Sequence, residues 1–337
     1  MIEEFRHDLL TTFTGLPVFE FMLPSEQTVD SEIPGDPENW AWRLAMGYPE
    51  DDDEAAGYAA LFDGFLAAVD TSRVRALILG SWTGEDLEVG TDIASTPLIE
   101  RAERFPALEA LFIGDVTSDM IEVSWIEQSD PGPVLAAFPG LRVLGLRGTT
   151  NLEMAPLKHA ALEELTLQGG GLPTSVIQAV CDSELPALTG LDLYLGSPFY
   201  SGGASGDDLA PILRGLALPG LRHLGLRDAE NQDAIAAAVA QAPVVAQLET
   251  LDLSLGNLSD AGAAALLAGQ PLTHLKKLDL HHHYLTEEMM QRVWAALPGV
   301  EVNLDEQETT EYESLEWVGV DAPEPEILER RYIAISE

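Results

Sequence analysis

The 337-residue chain is 46% hydrophobic and carries a net charge of −40, from 57 Asp and Glu against 17 Lys and Arg. A surface of that sign repels phosphate backbones and steers basic partners from a distance, so nucleic-acid binding is set aside and a protein partner of basic character is the class to expect, although acidity also serves plain solubility. The single cysteine, Cys181, excludes an internal disulfide, no apolar run reaches the ~20 residues that span a bilayer, and the opening MIEEFRHDLL lacks the basic-then-apolar order of a signal peptide; a cytoplasmic protein with no membrane partner is expected.

In chain order, residues 1–72 contain two strand-like stretches, GLPVFEFML and NWAWRLAMGY, and one helical stretch, AAGYAALFDGFLAAV. The acidic run Glu50–Glu54 between them reads as a solvated loop leading into that helix. From Val74 a phrase recurs: VRALIL, then LEALFI from Leu108, LRVLGL from Leu141, LEELTL from Leu162, LTGLDL from Leu188, LRHLGL from Leu221, LETLDL from Leu248 and LKKLDL from Leu275. The pattern is L-x-x-L-x-L, with Val opening the first and Ile closing the second, and the mean step is about 29 residues. Between the phrases lie alanine-rich amphipathic stretches with helix-start signals: Thr96–Pro97 before LIERAERF, Ser259 before DAGAAALLAG and Thr286 before EEMMQRVWAAL. Each unit is then a strand followed by a returning helix, and strands joined by such crossovers must pair in parallel.

This phrase and its period resemble the leucine-rich-repeat family, in its long-repeat, ribonuclease-inhibitor-like class. Over the whole chain, including LDLHHHYL and the RYIAISE ending, the sequence is similar to uncharacterised bacterial leucine-rich-repeat proteins. The resemblance implies an α/β solenoid, a horseshoe with the parallel β-sheet on its concave face and helices on its convex face, and it implies no activity. Residues 73–304 form the expected solenoid and 1–72 a strand-and-helix cap over its first apolar edge. Residues 305–337 form an acidic C-terminal segment: 301–329 hold eleven acidic groups and no Lys or Arg, after which RRYIAIS alternates like a strand that can return to cover the last repeat.

By the period-2 rule the residue between the last two leucines and the residue after them leave the leucine core and project from the concave sheet. Those positions are Ile78 and Gly80, Phe112 and Gly114, Gly145 and Arg147, Thr166 and Gln168, Asp192 and Tyr194, Gly225 and Arg227, Asp252 and Ser254, and Asp279 and His281. The array runs from apolar to charged, and Arg147, Asp192, Tyr194, Arg227, Asp252, Asp279 and His281 are the candidate partner-binding residues. Parallel strands ~4.8 Å apart make Asp252 and Asp279 neighbours with His281 one pleat on, around the gap at Gly225. Two carboxylates and an imidazole so placed can hold a divalent metal or raise one carboxyl pKa, so the alternative function is a metal-dependent hydrolase using Asp252, Asp279 and His281. The commoner meaning of Asp in LDL is a polar residue on an exposed strand position.

Of the three histidines, His281 is the functional candidate, and His283 falls where the family places an inward Asn or Cys. At that position other repeats have Thr149, Gly170, Gly196, Ala229 and Gly256. The long connections GDVTSDMIEVSWIEQSDPG and LGSPFYSGGASGDD bring Trp125, Phe199 and Tyr200 to the rim with Trp82 and Tyr194; Trp125 reads equally as core. Cys181 sits on the apolar helical stretch SVIQAVC as inert core. No phosphate loop, dinucleotide fingerprint or nucleophile elbow is present, and the reading is a non-enzymatic protein-binding scaffold with no cofactor, using the concave face and projecting loops.

Overall fold

The computed structural model describes residues 9–23, 32–46, 54–82, 90–314 and 327–335. The acidic run at 50–53, the first eight residues and much of the acidic C-terminal segment lie outside them. In chain order the elements are β1 (Thr12–Phe13), β2 (Leu16–Phe21), β3 (Ala41–Leu44), α1 (Glu54–Ala68), β4 (Ala76–Gly80), α2 (Asp92–Glu100), β5 (Ala110–Asp115), α3 (Gly132–Ala137), β6 (Val143–Arg147) and β7 (Glu164–Gln168). They continue as α4 (Thr174–Cys181), β8 (Gly190–Gly196), α5 (Ala210–Leu213), β9 (His223–Ala229), α6 (Gln232–Ala240), β10 (Thr250–Asp252), α7 (Asp260–Ala268), β11 (Lys277–Asp279), α8 (Glu287–Ala296), β12 (Glu301–Asn303), β13 (Glu311–Ser314) and β14 (Ile327–Arg330).

Strands β1 to β12 lie side by side in sequence order in one sheet, and every pairing from β2 onward is parallel. The chain is therefore a long, repeat-like α/β solenoid. The eight phrases supply β4 to β11, while the strand-like stretches ahead of them become β2 and β3 and extend the same sheet. Only β1, turned back on β2, is antiparallel. Among the described residues no helix is long and apolar enough to cross a membrane.

The phrase leucines account for the core. Leu77, Leu111, Leu144, Leu165, Leu191, Leu224, Leu251 and Leu278 are at most 1% exposed and pack with helix residues such as Leu98, Ile177, Ile235, Leu266 and Val293 in one continuous cluster. Ser259 and Thr286 cap α7 and α8 as their sequence positions predict, accepting from Ala261 N and Met289 N at 3.2 Å each. Each cap is gripped in turn by an aspartate near the start of the preceding helix: Asp233 accepts from Ser259 N at 2.7 Å, and Asp260 from Thr286 N at 2.8 Å. The Thr96–Pro97 signal misplaces α2, which begins at Asp92 and carries Pro97 inside; so short a helix tolerates the lost backbone bond.

The departures from an asparagine ladder also have a cause. At Gly196 (φ +64) a Cβ would stand 2.0 Å from the Gly170 carbonyl oxygen, so successive turns stack backbone on backbone there and admit no side chain. His283 takes the inward role in its repeat: it is fully buried, accepts Leu285 N at 3.1 Å through Nδ1 and donates Nε2–H to Leu304 O at 3.1 Å. Burial lowers its pKa and keeps the ring neutral.

Among the described residues after β12 none joins the twelve-stranded sheet. Strands β13 and β14 form a separate antiparallel pair, and the residues after β14 cross the turns that follow β9, β10 and β11. Ile335 N donates to Asp228 Oδ1 at 3.0 Å, Ala334 N to Leu255 O at 2.8 Å and Tyr332 N to the Tyr284 hydroxyl at 2.7 Å. Asp228, Leu255 and His282, the residues at the corresponding turn, all take positive φ of 54–68°, and Leu255 buries its side chain against Ile335.

Candidate functional site

Opposite the leucine core, the second face of the sheet carries the candidate residues, and the register puts them in two rows. Thr166 pairs with Asp192, Asp192 with Gly225, Gly225 with Asp252 and Asp252 with Asp279; one pleat along, Arg147 pairs with Gln168 and Tyr194 with Arg227. The neighbourhood expected from the phrase is met. The expected exposure is not: Arg147, Asp192, Tyr194, Arg227, Asp252, Asp279 and His281 are all buried, none more than 7% exposed.

Local cover explains part of this. At one end Leu10 and Phe13 lie over Ile78, Ala110 and Phe112. Further along, Tyr194 packs with Ile335, Leu255 and Val123, the last supplied by the long connection after β5. These covering groups come from residues 10–13, from Ile335 and from the connections after β5 and β10, and no periodicity announces them.

Two ionic centres occupy the face. In the first, Asp115 stands between Arg43 Nη2 at 2.7 Å and Arg147 Nη1 at 3.1 Å, with Leu10 N donating at 3.2 Å. Asp115 reaches this face through a bulge: the β4–β5 register shifts after Leu79, so that Gly80 pairs with Asp115 instead of Gly114, which takes φ +98. Arg147 also lies 5.2 Å from the Phe112 ring centroid and donates through Nε to Gln168 at 3.1 Å. Burial pulls its pKa down to about 10, against the opposing charge of Asp115.

The second centre spans β8 to β11. Asp192 Oδ1 meets His223 Nε2 at 2.8 Å, Asp252 Oδ2 lies 3.4 Å from Arg227 Nε, and Asp279 is held by Lys277 Nζ at 2.8 Å and His281 Nδ1 at 2.6 Å. The gap at Gly225 is filled by Asp192, whose Oδ1 would lie 2.0 Å from an added Cβ. Arg227 stacks 5.0 Å over the Tyr194 ring and donates to Ser254 Oγ at 3.0 Å.

These pairings divide the carboxylates. Burial opposes ionisation of Asp192, but the facing His223 outweighs it and holds the pKa low. Asp279 is likewise buried yet held well below the usual range by His281 and Lys277. Asp252 goes the other way, because burial and the charges of Asp192 and Asp279 exceed what Arg227 returns. His223 is raised, its own burial overcome by Asp192. Asp228, fully buried behind Arg227, is pushed well above the ordinary range by burial, and its Oδ2 has no hydrogen-bond partner among the described residues.

Among the described residues no group of three His, Cys, Asp or Glu is arranged to hold a metal ion. His281 turns its Nδ1 back to Asp279 two residues earlier, at 2.6 Å, while Asp252 faces Arg227 at 3.4 Å. Arg43, Asp115, His223, Asp228 and Lys277 complete the two centres and escaped the sequence reading. His223 and Lys277 precede the two positions read as outward on the same alternation, so extending that alternation one step earlier finds them. Asp115 depends on the bulge and Arg43 on a strand without the phrase.

The rim residues separate as well. Trp82 and Tyr194 are buried, at 1% and 0% exposure, whereas Trp125 is 55% and Phe199 83% exposed. Cys181 is buried in α4, its thiol pushed up to about 11 by burial.

The chain is 32% identical to a Bacteroides fragilis protein whose crystal structure was solved by a structural genomics consortium, with a TM-score of 0.72 over 79% of this chain and 74% of that one. No protein-family model matches the chain, and no curated protein does.

Proposed function

The chain belongs to the same family as that Bacteroides fragilis protein, and on this premise we propose that it is a leucine-rich-repeat horseshoe of the ribonuclease-inhibitor-like class, a cytoplasmic, non-enzymatic scaffold that holds a protein partner on its concave face and projecting loops. The observation that carries the reading is the exposure of Trp125 and Phe199 on projecting connections, whereas most large apolar groups among the described residues are inside. Rings left in water on projecting turns add nothing to folding and are the anchors that protein interfaces favour. The buried ionic centres give the sheet a floor of mutually paired charges, which suits a scaffold better than a reaction centre. Capture from extract of the native cell should return an identified protein in stoichiometric amount, bound equally with and without a metal chelator. Repeated capture that returns none would remove the proposal.

One observation favours the second reading, a metal-dependent hydrolase: Asp252 has the raised pKa of a candidate general acid. Metal content of the purified protein at or above one ion per chain, lost in Asp279→Asn, would move the balance to it.

A further inference from the structure

The two edges of the sheet differ in charge. On the edge where strands begin, cations stand in ladders with the acids of neighbouring repeats: Arg75 with Glu109 at 2.7 Å, Arg142 with Glu163 at 2.8 Å, Lys158 with Glu184 at 2.5 Å and Lys276 with Glu249 at 2.5 Å. On the edge where strands end, the connections from β5 onward, residues 116–131, 148–157, 169–173, 197–209, 229–232, 255–259, 281–286 and 304–310, contain no Lys or Arg. Glu122, Asp130, Glu153 and Glu230 are exposed there. Of the chain's final residues that cross this edge, Arg331 is turned to Asp233 at 3.6 Å and Asn257 O at 3.3 Å.

The exposed rings stand on this same edge, and they are held rigidly. Trp125 closes a 3-10 turn, Val123–Trp125, whose first residue is buried, and its Nε1 donates to Glu122 Oε2 at 3.1 Å. Phe199 sits in the turn Pro198–Tyr200, capped by Ser197 Oγ at 3.2 Å and stacked edge-on against Tyr200 at 4.8 Å. Tyr332, 47% exposed, is fixed through its backbone to Tyr284. The connections between them touch in series: Asn151 donates to Glu127 at 2.7 Å, Thr149 to Gly171 O at 2.6 Å, and Ser197 to Glu230 at 2.6 Å. With strands ~4.8 Å apart, three repeats separate Trp125 from Phe199 by roughly 14 Å.

We propose that this strand-end edge, where the projecting loops stand, carries the main docking contacts of the scaffold, and that its partner is a protein whose docking face is rich in Lys and Arg around apolar recesses that take Trp125 and Phe199. The inference rests on the scaffold reading and names its surface and its partner. Rings on anchored turns lose little freedom on binding, and an acidic border whose connections carry no Lys or Arg rewards a basic face while turning an acidic one away. The buried candidates Asp192, Arg227, Asp252 and Asp279 then support the surface from beneath.

The test is zero-length carbodiimide coupling, which joins a carboxylate to a lysine in contact with it, applied to the intact protein in extract of its native cell, with the joined peptides sequenced. Capture is repeated for Trp125→Ala/Phe199→Ala and for Trp294→Ala, an exposed ring on α8 remote from this edge. The expected result is joining of Glu122, Asp130, Glu153 or Glu230 to lysines of one basic protein. Its affinity should fall at least ~tenfold in the double variant and in 0.5 M salt, and stay unchanged in Trp294→Ala. Joining at the strand-start edge or the helices, an acidic partner, or unchanged affinity in the double variant overturns the inference and leaves the scaffold standing. Recovery of no protein by the native chain overturns both. All three rings are exposed, so unchanged thermal unfolding certifies the variants.

Discussion

Across β3 to β6 one carboxylate, Asp115, is enclosed by two guanidiniums; across β8 to β11 the three carboxylates Asp192, Asp252 and Asp279 share Arg227, His223, Lys277 and His281. Both centres are buried on the same face, so the contrast lies in how the charges are shared. Where cations are in excess, Arg147 bears the burden and its pKa falls. Where carboxylates crowd neighbouring strands, Asp192 and Asp279 take the partners nearest them and Asp252, left with the longer 3.4 Å contact, becomes the group that burial discharges. A row of like residues on adjacent strands is thus not a row of like groups.

The largest effect should come from the first centre. Asp115→Asn leaves Arg43 and Arg147 buried without their shared counter-charge and should cost about 3–5 kcal/mol in denaturant unfolding. A cost under ~1 kcal/mol would mean that water reaches the pair. Leu251→Ala, at a fully buried phrase position, should cost about 2–5 kcal/mol through the cavity it opens, against less than ~1 kcal/mol for the adjacent Asp252→Asn. The reverse order would overturn the division between leucine face and polar face.

Gly225→Ala comes next, at about 1–3 kcal/mol, since the new methyl overlaps Asp192 and must displace it from His223. The comparison sharpens in the Asp192→Ala background, where the same change should cost markedly less. If the two costs simply add, the gap is not what holds the carboxylate.

Acid titration separates the members of the second centre with opposite sign. Asp192 and Asp279 are lowered from 3.8, so their contribution is present above that value and lost as pH falls through their folded pKa values. Asp252 is raised from 3.8, so its contribution is present below 3.8 and lost as pH rises through its folded pKa. Asp279→Asn should therefore cost most stability at pH 7 and progressively less as pH falls below 3.8, while Asp252→Asn should gain, relative to the native chain, on going from pH 3 to pH 7. Parallel profiles for the two variants would refute the division. The smallest effect is expected of Trp125→Ala and Phe199→Ala, each within ~0.5 kcal/mol by thermal unfolding.

Much of this was readable in advance, for a local reason. A leucine every third and second residue specifies an inward face, the ~29-residue step demands a crossover, and crossovers compel parallel neighbours, so the sheet from β4 to β11, the adjacency of Asp252 to Asp279 and the gap at Gly225 all follow from spacing. Ser259 and Thr286 announced their helices because a cap is a contact within three residues. Pro97 misled because a proline near a helix start and one inside a short helix leave the same local trace.

Burial of the polar face was decided by contacts that no period encodes. Leu10 bonds Asp115 across 105 positions, Arg43 bonds it across 72, and Ile335 bonds Asp228 across 107. The sequence by itself determined the repeat, the parallel order and which side chains leave the leucine core, because these are properties of alternation and chain length. Whether those side chains meet water or a guanidinium was settled only when residues 10–13, Ile335 and the connections after β5 and β10 closed over the sheet; that long-range packing also fixed which rings remained outside, at Trp125 and Phe199.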